Sequence, residues 1–391
     1  MEQNRWASNR AKAMPTSVFA LMDTAKSRAR AQALEIIDLS IGSSDLSPPE
    51  AALQALRDAT TDPATYGYCL QACTRPLREA VASWYGERYK TKVDADTEVL
   101  PLIGSQEGLA NLLFATTDPG DMVLIPDPAY PSYLGATAAA GLDVVTLPLL
   151  EENNFLPDLS AVSADDARRA RVMVISYPNN PTAAVTTPEF MREAVSFCVD
   201  NEILLVHDFP YVDMVFGDYK APSVLTQPGG KEVGIELYSC SKSFHMGGFR
   251  IGWAIGNADA VAALAQLKGA IDFNQYLGIQ RAAVAALKQP RAKTRQDARV
   301  YETRRDALVQ TLNDTGWSTA LPKASMYVWT RLPQGLEDDF SFAVKLAEET
   351  GVCVAPGRAF GELGQGYVRF ALVREPDVLK RAVERIHEFL D

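Results

Sequence analysis

The sequence predicts an α/β fold, with a large domain on a seven-stranded, mostly parallel sheet and a smaller α+β domain. Three observations carry this. From Val99 onward, short apolar runs recur at 99–102, 122–125, 144–147, 172–176, 203–206, 235–238 and 253–255, with helical stretches such as 106–116, 133–140 and 188–201 between them. Nearly continuous β-branched runs alternating with helices read as parallel strands covered on both faces. Polar clusters fall where those runs end, the place where open α/β sheets bind ligands. After Asp259 the rhythm gives way to a long charged helix over about 291–313, followed by mixed strands and helices. The change assigns 46–285 to the large domain and 1–45 with 286–391 to the small one.

Taken in order, residues 15–30 pattern as an amphipathic helix with Val18, Leu21, Met22 and Ala25 on one face. A short strand over 36–41 stops at Gly42, a turn-rich stretch covers 43–49, and 50–59 is helical. Tyr66-Gly67-Tyr68 lies in a loop before a helix over about 75–89. The long helix carries Val300, Arg304, Ala307, Leu308 and Leu312 as its bridge to the second unit. There, strands are expected at 326–330, 352–355 and 367–372, with helices at 341–350 and 376–390.

Composition narrows the function. A chain of 391 residues exceeds one simple core, and 47% apolar with 22% charged residues is ordinary for a globular protein. A net charge of −11 argues against a nucleic-acid or anionic-membrane surface, while leaving room for an anion held by local cations. Cys69, Cys73, Cys198, Cys240 and Cys353 form no disulfide or zinc pattern, and His207, His245 and His387 are scattered, so no metal is expected. Residues 1–30 lack an apolar signal core, and no window is long enough to span a membrane. The expected setting is cytoplasmic.

The chemistry concentrates after the sixth run. Ser239-Cys240-Ser241-Lys242 leads through Gly247-Gly248 to Arg250. Hydroxyls and a guanidinium are what a phosphate dianion requires, and glycines let backbone approach a ligand. Gly104-Ser105-Gln106 after the first run offers a helix N-terminus as a second wall of the same phosphate cup. Lys242 beside that cup is a candidate Schiff-base nucleophile and, once released, a general base and acid. Asp208 ends the fifth run in apolar company, where a carboxylate needs a positive partner; a protonated pyridine nitrogen would serve. The alternative is an N-cap or a pair with His207. Asn180 and Tyr211 could donate to a ring oxygen, and Tyr130 could stack on the ring. Arg369, within an apolar strand, suits a substrate carboxylate or, alternatively, an internal ion pair.

Together these residues resemble the pyridoxal-phosphate-dependent aminotransferases of classes I and II, fold type I. The likeness runs from about Ile36 to the C-terminus. It is carried by Tyr177-Pro178-Asn179-Asn180-Pro181-Thr182, His207-Asp208-Phe209-Pro210-Tyr211, Ser239-Cys240-Ser241-Lys242, Phe249-Arg250-Ile251-Gly252 and Tyr367-Val368-Arg369-Phe370-Ala371-Leu372. The resemblance implies pyridoxal 5'-phosphate joined to Lys242, with Asp208 at the pyridine nitrogen and Asn180 and Tyr211 at the ring hydroxyl. It further implies Tyr130 stacking, Gly104, Ser105, Gln106, Ser239, Ser241 and Arg250 around the phosphate, and Ile41, Gly42, Asn180 and Arg369 at the substrate. Tyr68 would reach a neighbouring subunit's phosphate, implying a homodimer with shared active sites. The implied activity moves an amino group between an L-amino acid and a 2-oxo acid.

A narrower likeness lies in the stretch from Phe216 to Ser223, in Asp272-Phe273 and in Pro322-Lys323-Ala324-Ser325-Met326-Tyr327-Val328-Trp329. It is similar to the branch of alanine (glutamate–pyruvate) and LL-diaminopimelate aminotransferases. Cys73 and Asn274 stand where that branch leads one to expect glycine, and Phe249 where Trp is usual, which bears on substrate choice. Two other outcomes share the residues: a C–S lyase working by β-elimination, and a non-catalytic, cofactor-sensing regulator. The regulator form would carry a DNA-binding domain ahead of the fold, and only about thirty-five residues precede Ile36.

Overall fold

The computed structural model describes residues 6–14 and 18–391, with side chains of the second helix from Leu21 onward. The expected helix start at Pro15 and the facing of Val18 lie outside the described residues. The helix itself runs Val18–Ala31. It buries Met22, Ala25 and Ala29, whereas Leu21 is 46% exposed and does not belong to the buried face.

The strands are β1 (Ile37–Asp38), β2 (Val99–Leu102), β3 (Met122–Asp127), β4 (Asp143–Pro148), β5 (Ala170–Ile175), β6 (Leu204–Asp208), β7 (Gly234–Ser239), β8 (Gly252–Gly256), β9 (Tyr327–Arg331), β10 (Val352–Cys353), β11 (Ala355–Pro356) and β12 (Tyr367–Ala371). Strands β2 to β8 form the expected seven-stranded sheet, in the order β2-β8-β7-β6-β5-β3-β4. All neighbours run parallel except at β8, which is antiparallel to both β2 and β7. Strands β2, β7 and β8 are buried at every residue, since helices cover both faces. Of the two edge strands, β4 is largely exposed along its run, whereas β2 is covered.

Below the sheet, helix Glu50–Thr60 packs on Leu277–Leu287; above it, Ser105–Thr116 packs on Ala258–Ile271. The helices at 258–271 and 277–287 are not among those the sequence pattern predicts. Helix Arg291–Asp314 crosses to a second core. That core is formed by the antiparallel sheet β11-β12-β9, the parallel pair β1-β10 and the helices Asp339–Thr350 and Pro376–Leu390. The single strand expected over 352–355 is thus split between two sheets. Arg304 of the long helix is fully buried and answered by Asp45 and Glu375, which ties the helix to the chain on both sides of it.

Candidate active site

The carboxyl ends of β5, β6 and β7 open into a cavity of about 340 Å³. It is lined by Ile41, Gly42, Ser105, Gln106, Tyr130, Asn180, Asp208, Tyr211, Ser239, Ser241, Lys242, Arg250 and Arg369, so nearly every candidate from the sequence meets there. Gly104 sits just behind, and Tyr68 does not reach this chain's cavity: it is 82% exposed and packs on Phe273 at 5.5 Å.

One end of the cavity is built for an anion. Helix Ser105–Thr116 begins at Gly104, which has φ +87° and supplies no side-chain cap, so the first N–H groups of the helix stay available. A Cβ at Gly104 would stand 2.6 Å from Arg250 Nη2. Arg250 donates to Gly247 O (2.9 Å) and has no ion-pair partner among the described residues. Ser239 caps the short helix that follows β7, accepting from Ser241 N at 3.1 Å, and its hydroxyl donates to Ser241 Oγ at 2.9 Å. Donors surround this end, and among the described residues no carboxylate forms an ion pair with Arg250; a phosphate fits.

The other end holds Asp208, 7% exposed at the end of β6. Its Oδ2 accepts from Tyr133 Oη at 2.7 Å, while its Oδ1 is buried with no partner. Burial pushes its pKa up to about 6, against the opposing pull of Tyr133 and the nearby His207. Neither alternative reading of Asp208 fits: it caps no helix, and His207 pairs instead with Glu236 at 3.2 Å. A buried carboxylate with an orphaned oxygen suits a protonated ring nitrogen.

Lys242 follows β7 and donates from Nζ to Gly42 O at 2.5 Å. Arg369, on β12, is 3% exposed; it donates to Asn180 Oδ1 and to Ser40 O, each at 2.7 Å, and its Nε is unpartnered. It forms no ion pair among the described residues, so the internal-pair alternative falls. Burial lowers its pKa, with Tyr327 and Tyr211 opposing. A guanidinium this deep with no carboxylate calls for an anionic guest. Tyr130 donates to Gln106 Oε1 at 3.1 Å at the cavity wall.

A lysine, a cup of anion donors, an orphaned acid and an uncompensated arginine meet in one cavity, and their chemistry fits pyridoxal phosphate and an amino acid. The sequence profile described as "Aminotransferase class I and II" matches residues 35–386. The chain belongs to that family. It is a pyridoxal-phosphate-dependent aminotransferase. It is 42% identical to an LL-diaminopimelate aminotransferase of Desulforudis audaxviator, over 97% of this chain and 96% of that one. A structure titled probable N-succinyldiaminopimelate aminotransferase, from Thermus thermophilus, superposes with TM-score 0.92 at 48% identity, covering 95% of this chain and 100% of that one. A Thermus thermophilus aspartate aminotransferase mutant gives TM-score 0.90 at 27% identity, covering 98% and 99%.

Three aromatic residues of this aminotransferase site are absent from the candidates that the sequence offers. Tyr133 holds Asp208, Tyr327 meets Tyr211 and Arg369, and Phe360 lies 4.5 Å from the Arg369 guanidinium. Tyr133 is three residues past Tyr130 and packs edge-on against its ring at 5.9 Å, and that nearness to a predicted stacking aromatic is the signal that points to it. When bound, the cofactor supplies the carbonyl and the electron-withdrawing ring.

Proposed function

We propose that this aminotransferase acts on amino donors with the diaminopimelate skeleton, free or N-acylated at the far amine, with a 2-oxo acid as acceptor. The names of the relatives at 42% and 48% identity support that skeleton. The observation that carries the site assignment is Arg369, a buried guanidinium without a carboxylate partner. In this reading Lys242 binds the cofactor and moves the Cα proton, and Asp208 keeps the ring nitrogen protonated. Asn180 and Tyr211 meet the ring oxygen, and Tyr130 stacks. Gly104, Ser105, Gln106, Ser239, Ser241 and Arg250 hold the phosphate. Arg369 takes the α-carboxylate beside Ile41 and Gly42.

With Lys242 and Arg250 committed to the cofactor, Arg369 is the one remaining cation in the described lining. A second, distal carboxylate therefore needs residues from elsewhere. A homodimer with shared sites would provide them, with Tyr68 crossing to the partner's phosphate. The exposed Tyr66, Tyr68, Leu70, Ile271 and Phe273 support such a contact. The division at 46–285 and the cytoplasmic setting belong to the same reading.

The test is a donor panel of alanine, aspartate, glutamate, LL-diaminopimelate and its N-succinyl derivative, each with pyruvate and with 2-oxoglutarate. A diaminopimelate-type donor should give the highest kcat/KM. A higher value for alanine or aspartate refutes the proposal, and ammonia with a thiol appearing without an acceptor would indicate the lyase.

A further inference from the structure

Tyr327 lies in an apolar run of β9 and has no assigned part in the reaction. Antiparallel pairing sets Tyr327 opposite Ala371 and Trp329 opposite Arg369. Residues two apart share a face, so Tyr327 and Arg369 are diagonal neighbours on the cavity side. The Arg369 guanidinium carbon stands 4.1 Å from the centre of the Tyr327 ring. At the far end of the same ring, the Tyr327 hydroxyl is 3.1 Å from that of Tyr211. It also fills the space a side chain at position 42 would need, since a Cβ on Gly42 would collide with it.

Hydrogen counting then fixes a direction. Each phenol has one hydrogen. If Tyr211 gives its hydrogen to an acceptor in the cavity, the hydrogen between the two tyrosines must come from Tyr327. The charged and titratable groups facing Tyr327 are Lys242 from the short helix after β7, Arg369 from β12, Tyr211 and Tyr130. Burial disfavours its ionisation, while the Lys242 and Arg369 cations and the hydrogen bond with Tyr211 favour it and together leave its pKa below the ordinary tyrosine value.

We propose that Tyr327 is a positioning residue joining the two halves of the site. Its ring holds the Arg369 guanidinium flat for a carboxylate, and its hydroxyl donates to Tyr211 so that the Tyr211 proton points into the cavity. The proposal rests on the roles given above to Arg369 and Tyr211. Donors in a chain strengthen one another, so losing the Tyr327 hydroxyl weakens what Tyr211 can give. Donation to a ring oxygen stabilises its negative charge and lowers the pH at which the bound chromophore loses its proton. Weaker donation raises that pH.

The experiment uses the cofactor-loaded protein and two readouts other than turnover. The first is the pH midpoint of the visible absorbance for wild type, Tyr327→Phe, Tyr211→Phe and the double variant. Tyr327→Phe should raise the midpoint by roughly 0.3–1 unit, and the shift should vanish in the Tyr211→Phe background. No shift, or an equal shift in both backgrounds, overturns the hydroxyl's part. The second is the dissociation constant of glutarate, a carboxylate with no amino group. Tyr327→Phe should stay within about twofold of wild type, and Tyr327→Leu should bind about fivefold to thirtyfold more weakly. Unchanged binding by Tyr327→Leu overturns the ring's part. Arg369→Lys and Tyr211→Phe are the controls on the parent reading. If Arg369→Lys leaves glutarate binding unchanged, or Tyr211→Phe leaves the midpoint unchanged, the parent role fails and the matching half of this proposal is overturned with it.

Discussion

Asp208 makes the site a liability to the empty protein, and the size of that liability can be worked out. Its pKa rises from the ordinary 3.8 to about 6 because the carboxyl is desolvated. Between those values the folded state holds a proton that the unfolded chain has lost, so stability falls as pH rises through the window. Above about pH 6 the full penalty applies, roughly 2 units or about 3 kcal/mol. Asp208→Asn removes the titration and keeps an acceptor for Tyr133. The cofactor-free variant should therefore be more stable than cofactor-free wild type at pH 8, by up to about 3 kcal/mol. At pH 4 the two should be nearly equal. For a chain of 391 residues that is a rise of a few degrees in melting temperature. The loaded variant should show the opposite: weaker ring binding and strongly slowed Cα proton abstraction, because the acid that keeps the ring protonated is gone. Thermal melts of the stripped proteins across pH 4–8 are the assay. A cofactor-free Asp208→Asn that melts below wild type at pH 8, or whose advantage does not shrink on acidification, refutes the assignment of a desolvated, unpaired carboxylate.

The other residues predict separable losses. Lys242→Ala should fold, take up cofactor without the lysine linkage and lose both transamination and the pH-sensitive absorbance; retained turnover would remove Lys242 from the chemistry. Arg369→Lys replaces a fork by a point charge in a pocket lined by Tyr327 and Phe360, and should raise KM for donors and acceptors alike by about tenfold or more. A KM change confined to one substrate would place the α-carboxylate elsewhere. Gly42→Ala drives a methyl into the Tyr327 hydroxyl and should disturb the Gly42 carbonyl that Lys242 donates to. Steady-state kinetics should show kcat falling at least tenfold with the fold intact by circular dichroism.

What the sequence discloses, and what it hides, follows from the periods of the two kinds of signal. Parallel strands buried on both faces appear as unbroken apolar runs, so β2, β3 and β5 to β8 can be placed to within about two residues. A polar residue that interrupts the end of such a run stands out; Asp208, Ser239 and Lys242 are visible for that reason. Strand direction leaves no such trace, and nothing in the run from Gly252 to Gly256 shows that β8 runs against the other strands of its sheet. Nor can a period single out an aromatic residue that patterns as core and turns its hydroxyl to the site. Tyr133 and Tyr327 are 2% exposed and pattern as core, yet each spends its one polar atom on a site residue. Burial makes both tyrosines look structural in the sequence, and burial is what makes their hydroxyls effective: in a site that excludes water, a hydrogen bond to Asp208 or Tyr211 is stronger than the same bond at the surface. An apolar-looking tyrosine close in sequence to a predicted stacking aromatic, as Tyr133 is to Tyr130, therefore belongs among the site candidates on sequence grounds alone.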